Sequence, residues 1–139
     1  MSTDIKSQAP NFKLQINSNN QNPKRYDLED RTLEFSKRLI RFCQTLSRNT
    51  INLNLINQGI RSGTSMGANY REANETETKK DFLYRTRICR KEGKETIYWL
   101  NLIQEANPAI KEQIAPLLQE TGELVKIFAK IIENSRFRT

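Results

Sequence analysis

Four stretches of this chain space their apolar residues by fours and threes, the spacing that lines one face of an α-helix and no face of a strand. Phe35, Leu39, Phe42, Cys43 and Leu46 mark the first stretch, and Ile56, Ile60, Gly63, Gly67 and Tyr70 the second. Phe82, Cys89, Thr96, Leu100 and Ile103 mark the third, and Leu117, Thr121, Leu124, Phe128 and Ile131 the fourth. The connections between them are short, so the pattern predicts an all-α, antiparallel, up-down-up-down four-helix bundle. The expected helices run from Asp27 or Leu28 to Ser47, from Leu53 to Ala73, from Lys80 to Ala106, and from Pro116 (or through a kink there) to Asn134. Asn49 to Asn54 reads as the first turn. The bundle occupies 27–134, and a length of 139 residues suits one domain. Residues 1–26, rich in Asn, Gln and Ser, read as a flexible tail. Phe12, Leu14 and Ile16 alternate there as in a strand, which leaves docking onto a neighbour as the alternative. Residues 135–139 read as a basic C-terminal tail.

The second helix carries the most unusual signal. Gly59, Gly63 and Gly67 stand four apart and stack on one side. Each mid-helix glycine costs about 1 kcal/mol relative to alanine, about 3 kcal/mol for the row, so close approach of another backbone is the expected compensation. A second row, Gln58, Ser62, Ser65 and Asn69, is small and neutral. From Thr50 to Tyr70 the only charge is Arg61, in a chain where 28% of residues are charged. A helix without a charged outer face is expected to be covered on more than one side, which points to a homo-oligomer.

Composition closes several routes. With no histidine the chain has no Ser-His or Cys-His pair and no imidazole metal ligand, so neither an enzyme nor a cofactor is expected. Cys43 and Cys89 show no metal spacing and read as reduced core residues of a cytoplasmic protein. No apolar run is long enough to span a bilayer, and the basic face lacks an adjoining apolar strip, so no membrane partner is expected.

The net charge is +7 and unevenly placed. Between Lys79 and Lys94 seven bases (Lys79, Lys80, Arg85, Arg87, Arg90, Lys91, Lys94) meet two acids (Asp81, Glu92), whereas from Glu105 onward five acids meet five bases. On a helix Lys80, Arg87, Lys91 and Lys94 share one face, with Arg90 near it and Tyr84 and Tyr98 at its margins. Such a row can neutralise phosphates while the rings stack on unpaired bases, or it can simply be a solvated face. Arg38, Arg41 and Arg48 form a second basic group on and after the first helix, diagonal to the third in a simple bundle. Glu92 breaks the third helix's pattern by projecting toward its apolar side, with Glu95 beside it and Arg85 one heptad before. A general acid-base role for Glu72, Glu92, Glu95 or Lys91 is one reading. The stronger one is a buried polar network joining Glu92 and Glu95 to Arg61, Arg85, Ser65 or Asn69 across the second and third helices. Trp99 and the glycine row then serve assembly.

The run Arg61-Ser-Gly-Thr-Ser-Met-Gly-Ala-Asn-Tyr-Arg-Glu-Ala73, then Lys80-Asp-Phe82, then Lys91-Glu-Gly-Lys-Glu-Thr-Ile-Tyr-Trp-Leu100, resembles the bacterial four helix bundle protein family, as does the opening Asp27-Leu-Glu-Asp-Arg-Thr32. That family includes proteins encoded in intervening sequences of large-subunit ribosomal RNA genes, and is similar to the accessory variability protein of diversity-generating retroelements. The resemblance covers roughly 27–134 and implies a homopentameric ring without catalytic activity. For the retroelement accessory members it further implies a basic surface that binds RNA or DNA and a reverse transcriptase. Gly93 stands where many relatives carry alanine or cysteine. A protein adaptor that docks an acidic or RNA-bound enzyme, without touching nucleic acid itself, is the alternative function.

Overall fold

The computed structural model describes residues 27–136. It contains four α-helices: α1, Leu28–Gln44; α2, Thr50–Asn74; α3, Lys79–Ala106; and α4, Lys111–Arg136, entered through a 3-10 turn at Pro108–Ile110. Each of the first three is started by a side chain suited to it. Asp27, Asn49 and Thr78 accept from the backbone N–H groups of Glu29, Asn52 and Asp81, which satisfies donors the helix itself cannot. Packing is strongest between α2 and α3, then α3 and α4, then α1 and α2; α1 and α4 close the ring more loosely, and α1 and α3 are diagonal. Arg31 ties the loose edge, donating to both oxygens of Glu120 at 2.7 and 2.9 Å and to Glu123 at 2.8 Å.

The expected apolar positions of α1, α3 and α4 are all buried. Several boundaries differ from expectation, and α1 ends at Gln44, three residues before the expected Ser47. The turn ends at Asn49, not Asn54, because Asn49 caps the helix while Asn52 turns inward. Only 1% exposed, Asn52 donates to Ser47 O and exchanges amide hydrogen bonds with Asn107 at 2.8 and 3.1 Å, locking two loops together. Pro116 neither starts nor breaks α4, which begins at Lys111 and carries the proline in its second turn. At the other end α4 continues through Arg136, so Ser135, expected in the tail, is wholly buried. The expected N-terminal tail and the Phe12, Leu14, Ile16 alternation lie outside the described residues.

The glycine row of α2 finds its neighbours inside one chain. A Cβ at Gly67 would meet Thr32 Oγ1 at 2.9 Å and Cβ at 3.1 Å, and one at Gly63 would run into Leu39 Cδ2. At Gly59 it would only touch Trp99 and Ile103 of α3, at 3.7 and 3.6 Å. Two of the three glycines therefore admit α1 of the same chain, so the row by itself gives no reason for a second chain. The neutral row also splits: Ser62 is buried, Ser65 and Asn69 are half-buried, and Gln58 is exposed. Gly93 of α3 has a packing reason as well, since a Cβ there would stand 2.7 Å from Val125 Cγ2 and 3.1 Å from Met66 Sδ. Cys43 and Cys89 are free and buried, and burial pushes their thiols up to about 11 and about 12. Among the described residues no helix is long and apolar enough to cross a membrane.

Candidate nucleic-acid interface

The outer face of α3 follows directly from its sequence period. At 3.6 residues per turn, Lys80, Tyr84, Arg87, Lys91, Lys94 and Tyr98 fall within an arc of about 80°, opposite the buried Phe82, Cys89, Thr96 and Leu100. All six are exposed, the two tyrosines at 60% and 58%. Arg90 lies beside them and is half-buried. Among the described residues none of Lys80, Arg87, Arg90, Lys91 and Lys94 has a carboxylate within ion-pair distance, although other cations of the chain do. Lys80 to Tyr98 covers about 27 Å of helix. The face is a cationic rod whose members form no ion pair among the described residues.

Two carboxylates of the same helix, Glu92 and Glu95, lie beside it and feel Lys91 as well as Arg61. Arg61 of α2 donates to Glu95 at 2.6 Å and to Glu92 at 3.4 Å, so one guanidinium answers both carboxylates of α3. Glu92 is 8% exposed, and burial raises its pKa, aided by the neighbouring Glu95, against the pull of Arg61. Glu95, nearer solvent, is held below the ordinary range, chiefly by its hydrogen bond from Arg61. Arg85 reaches the other way and donates to Asn69 Oδ1 at 3.2 Å while standing 5.8 Å above the Tyr84 ring. Ser65 and Asn69 spend their donors on α2 carbonyls, Arg61 O and Ser65 O. Trp99 is half-buried against Gly59, and its ring meets Tyr98 edge-on at 5.0 Å and 77°.

The sequence-expected residues are thus brought together in two groups on α3 and its seam with α2. A third group stays apart. Arg38, Arg41 and Arg48 belong to α1 and the loop after it, across the bundle from α3, and Arg41 pairs with Glu34 at 3.2 Å. Sequence reasoning missed Met66, fully buried between Cys89 and Gly93, and the hydroxyl pair of Ser62 and Thr96 at 2.8 Å. Ser62 sat in the neutral row, and only its partner on α3 distinguishes it from an exposed serine. Among the described residues no group of three acids or cysteines could hold a metal ion.

A family model for 23S rRNA-intervening sequence proteins matches residues 24–130 of the chain. Among solved structures the fold is similar to a protein of unknown function from the S23 ribosomal protein family of Bacteroides thetaiotaomicron VPI-5482. That similarity has a TM-score of 0.69 at 34% identity and covers 75% of this chain and 96% of the other. No curated protein sequence matches.

Proposed function

The chain belongs to the 23S rRNA-intervening sequence protein family, and from that premise we propose that it is a non-enzymatic, nucleic-acid-binding accessory protein that works as a homo-oligomer, a pentamer by its resemblance. The observation that carries this reading is the exposed row Lys80, Arg87, Lys91 and Lys94 on one helix, which forms no ion pair among the described residues. Cations so placed displace the counterions of a phosphate backbone, and the released ions drive binding with little regard for sequence. A non-enzymatic role is supported by the engagement of the carboxylate pair nearest to a catalytic arrangement, Glu92 and Glu95, by Arg61. Oligomer formation is supported by the exposed Leu33 and Ile40 of α1 and Ile51 and Leu53 of α2. A reverse-transcriptase partner, implied by the likeness to retroelement accessory proteins, would then meet nucleic acid already held on α3.

Fluorescence anisotropy with labelled RNA and DNA tests the reading. Affinity is expected to fall by about tenfold or more between 50 and 200 mM salt, following the phosphate count. Replacing Lys91 and Lys94 together by Gln should flatten that dependence as well as weaken binding. Equal affinity at both salts, or none at either, would exclude the proposal.

A further inference from the structure

Resting on that reading, we propose that the α3 face is built for an unpaired strand, gripped at two points by Tyr84 and Tyr98, and not for a duplex. The two rings stand about 21 Å apart along the helix, with Arg87, Lys91 and Lys94 between them. At a stacked rise of 3.4 Å per nucleotide that interval holds about six nucleotides, within the range of known single-strand sites.

Both rings are exposed, and each has a neighbouring side chain against it. Arg85, itself held by Asn69, covers one side of Tyr84 at 5.8 Å, which leaves the opposite side for a base. Tyr98 is braced by a T-shaped contact with the indole of Trp99, whose Cβ lies against Gly59 of α2. A braced ring loses little freedom when a base stacks on it. The cations between the rings meet the phosphates that join the stacked bases. In a duplex the base faces are already covered by one another, so the tyrosines would add nothing to binding there. Stacking is also indifferent to base identity and to the sugar, so RNA and DNA strands should both be held. The rival geometry is a helix laid into the major groove of duplex DNA.

The test compares a single strand of about twelve nucleotides with the duplex it forms with its complement, as RNA and as DNA, using the full chain. Wild type should prefer the single strand. Tyr84→Ala and Tyr98→Ala should each weaken single-strand binding by about tenfold while changing duplex binding less than about twofold. Tyr84→Phe and Tyr98→Phe should restore it, since the ring and not the hydroxyl stacks. Both positions are exposed, and unchanged circular dichroism checks the fold. Tyrosine variants that bind like wild type while Lys91→Gln with Lys94→Gln weakens binding would overturn the strand clamp and leave the phosphate reading standing. A wild type that prefers duplex would do the same. No binding of any nucleic acid at low salt would remove both.

Discussion

Glu92 and Glu95 are chemically identical and three residues apart, yet their surroundings push them in opposite directions. Glu92 is buried, and its position 3.4 Å from Arg61 does not offset the lost hydration, so its proton is held more tightly when folded than when unfolded. An acid with a raised folded pKa burdens the fold above that pKa, and the burden lifts as pH falls through it. Glu95, 2.6 Å from the same guanidinium, is the reverse: its pairing stabilises the fold above the unfolded value near pH 4 and is lost below it. Glu92→Gln, which keeps the shape and an acceptor for Arg61, should therefore hold or raise the melting temperature at pH 7. Glu95→Gln should lower it, and both differences should shrink toward pH 3. Melting curves across that range check the pair. A loss of stability in Glu92→Gln equal to that in Glu95→Gln would mean that Arg61 serves both carboxylates equally. The grouping of Arg61, Glu92 and Glu95 could be read in the sequence, because an acid on an apolar stripe needs a partner and Arg61 is the one charge on the facing helix from Thr50 to Tyr70.

Helices carry a second contrast, among the glycines. Gly63 and Gly67 are closed by α1, whereas Gly59 is in ordinary contact distance and Gly122 of α4 has nothing within 4 Å of its would-be Cβ. Ala at Gly67 must displace the Thr32 side chain, whose hydroxyl donates to Leu28 O at 2.8 Å. The expected loss at Gly67 or Gly63 is about 1–3 kcal/mol. Gly122→Ala should instead gain up to about 1 kcal/mol from helix propensity, and Gly59→Ala should be neutral or mildly favourable. Urea denaturation of the four variants orders them, and a stabilised Gly67→Ala would show that α1 does not rest on Thr32 as described. Period and spacing were enough to foresee that the row admits a helix, but not which one. Gly63 meets Leu39 only because α1 lies antiparallel at that register, and register depends on three helices at once. The same limit explains the α2 start. Asn52 looked like a loop residue, and its burial depends on Asn107, which is distant in sequence and adjacent in space.

At the scale of the whole molecule, the basic row and the exposed aliphatic residues lie on different helices. The cationic rod lies on α3; Leu33 and Ile40, seven apart on the exposed side of α1, lie across the bundle. The rod could be read before the fold was known, because one helix's period determines it, while the apolar face could not: Leu33 and Ile40 border the buried stripe, and only the placement of α2 and α4 leaves them outside. Under the proposed function, assembly through α1 would leave α3 free, so the two can be altered independently. Leu33→Ser with Ile40→Ser keeps the charge unchanged and should reduce the particle to monomers by light scattering, with helix content preserved. The monomer should still bind a short single strand. With about four phosphates met per chain, its log-affinity should fall with log salt at a slope near about −3. In the assembled protein, strands long enough to bridge neighbouring subunits should show a steeper slope and tighter binding, because each further rod engages at high effective concentration. The double variant should lose that dependence on length and nothing else. A variant whose mass is unchanged would take the assembly surface off α1. If the variant is monomeric and its binding still tightens with strand length, the rods act singly, and assembly has a purpose other than lengthening the polyanion site.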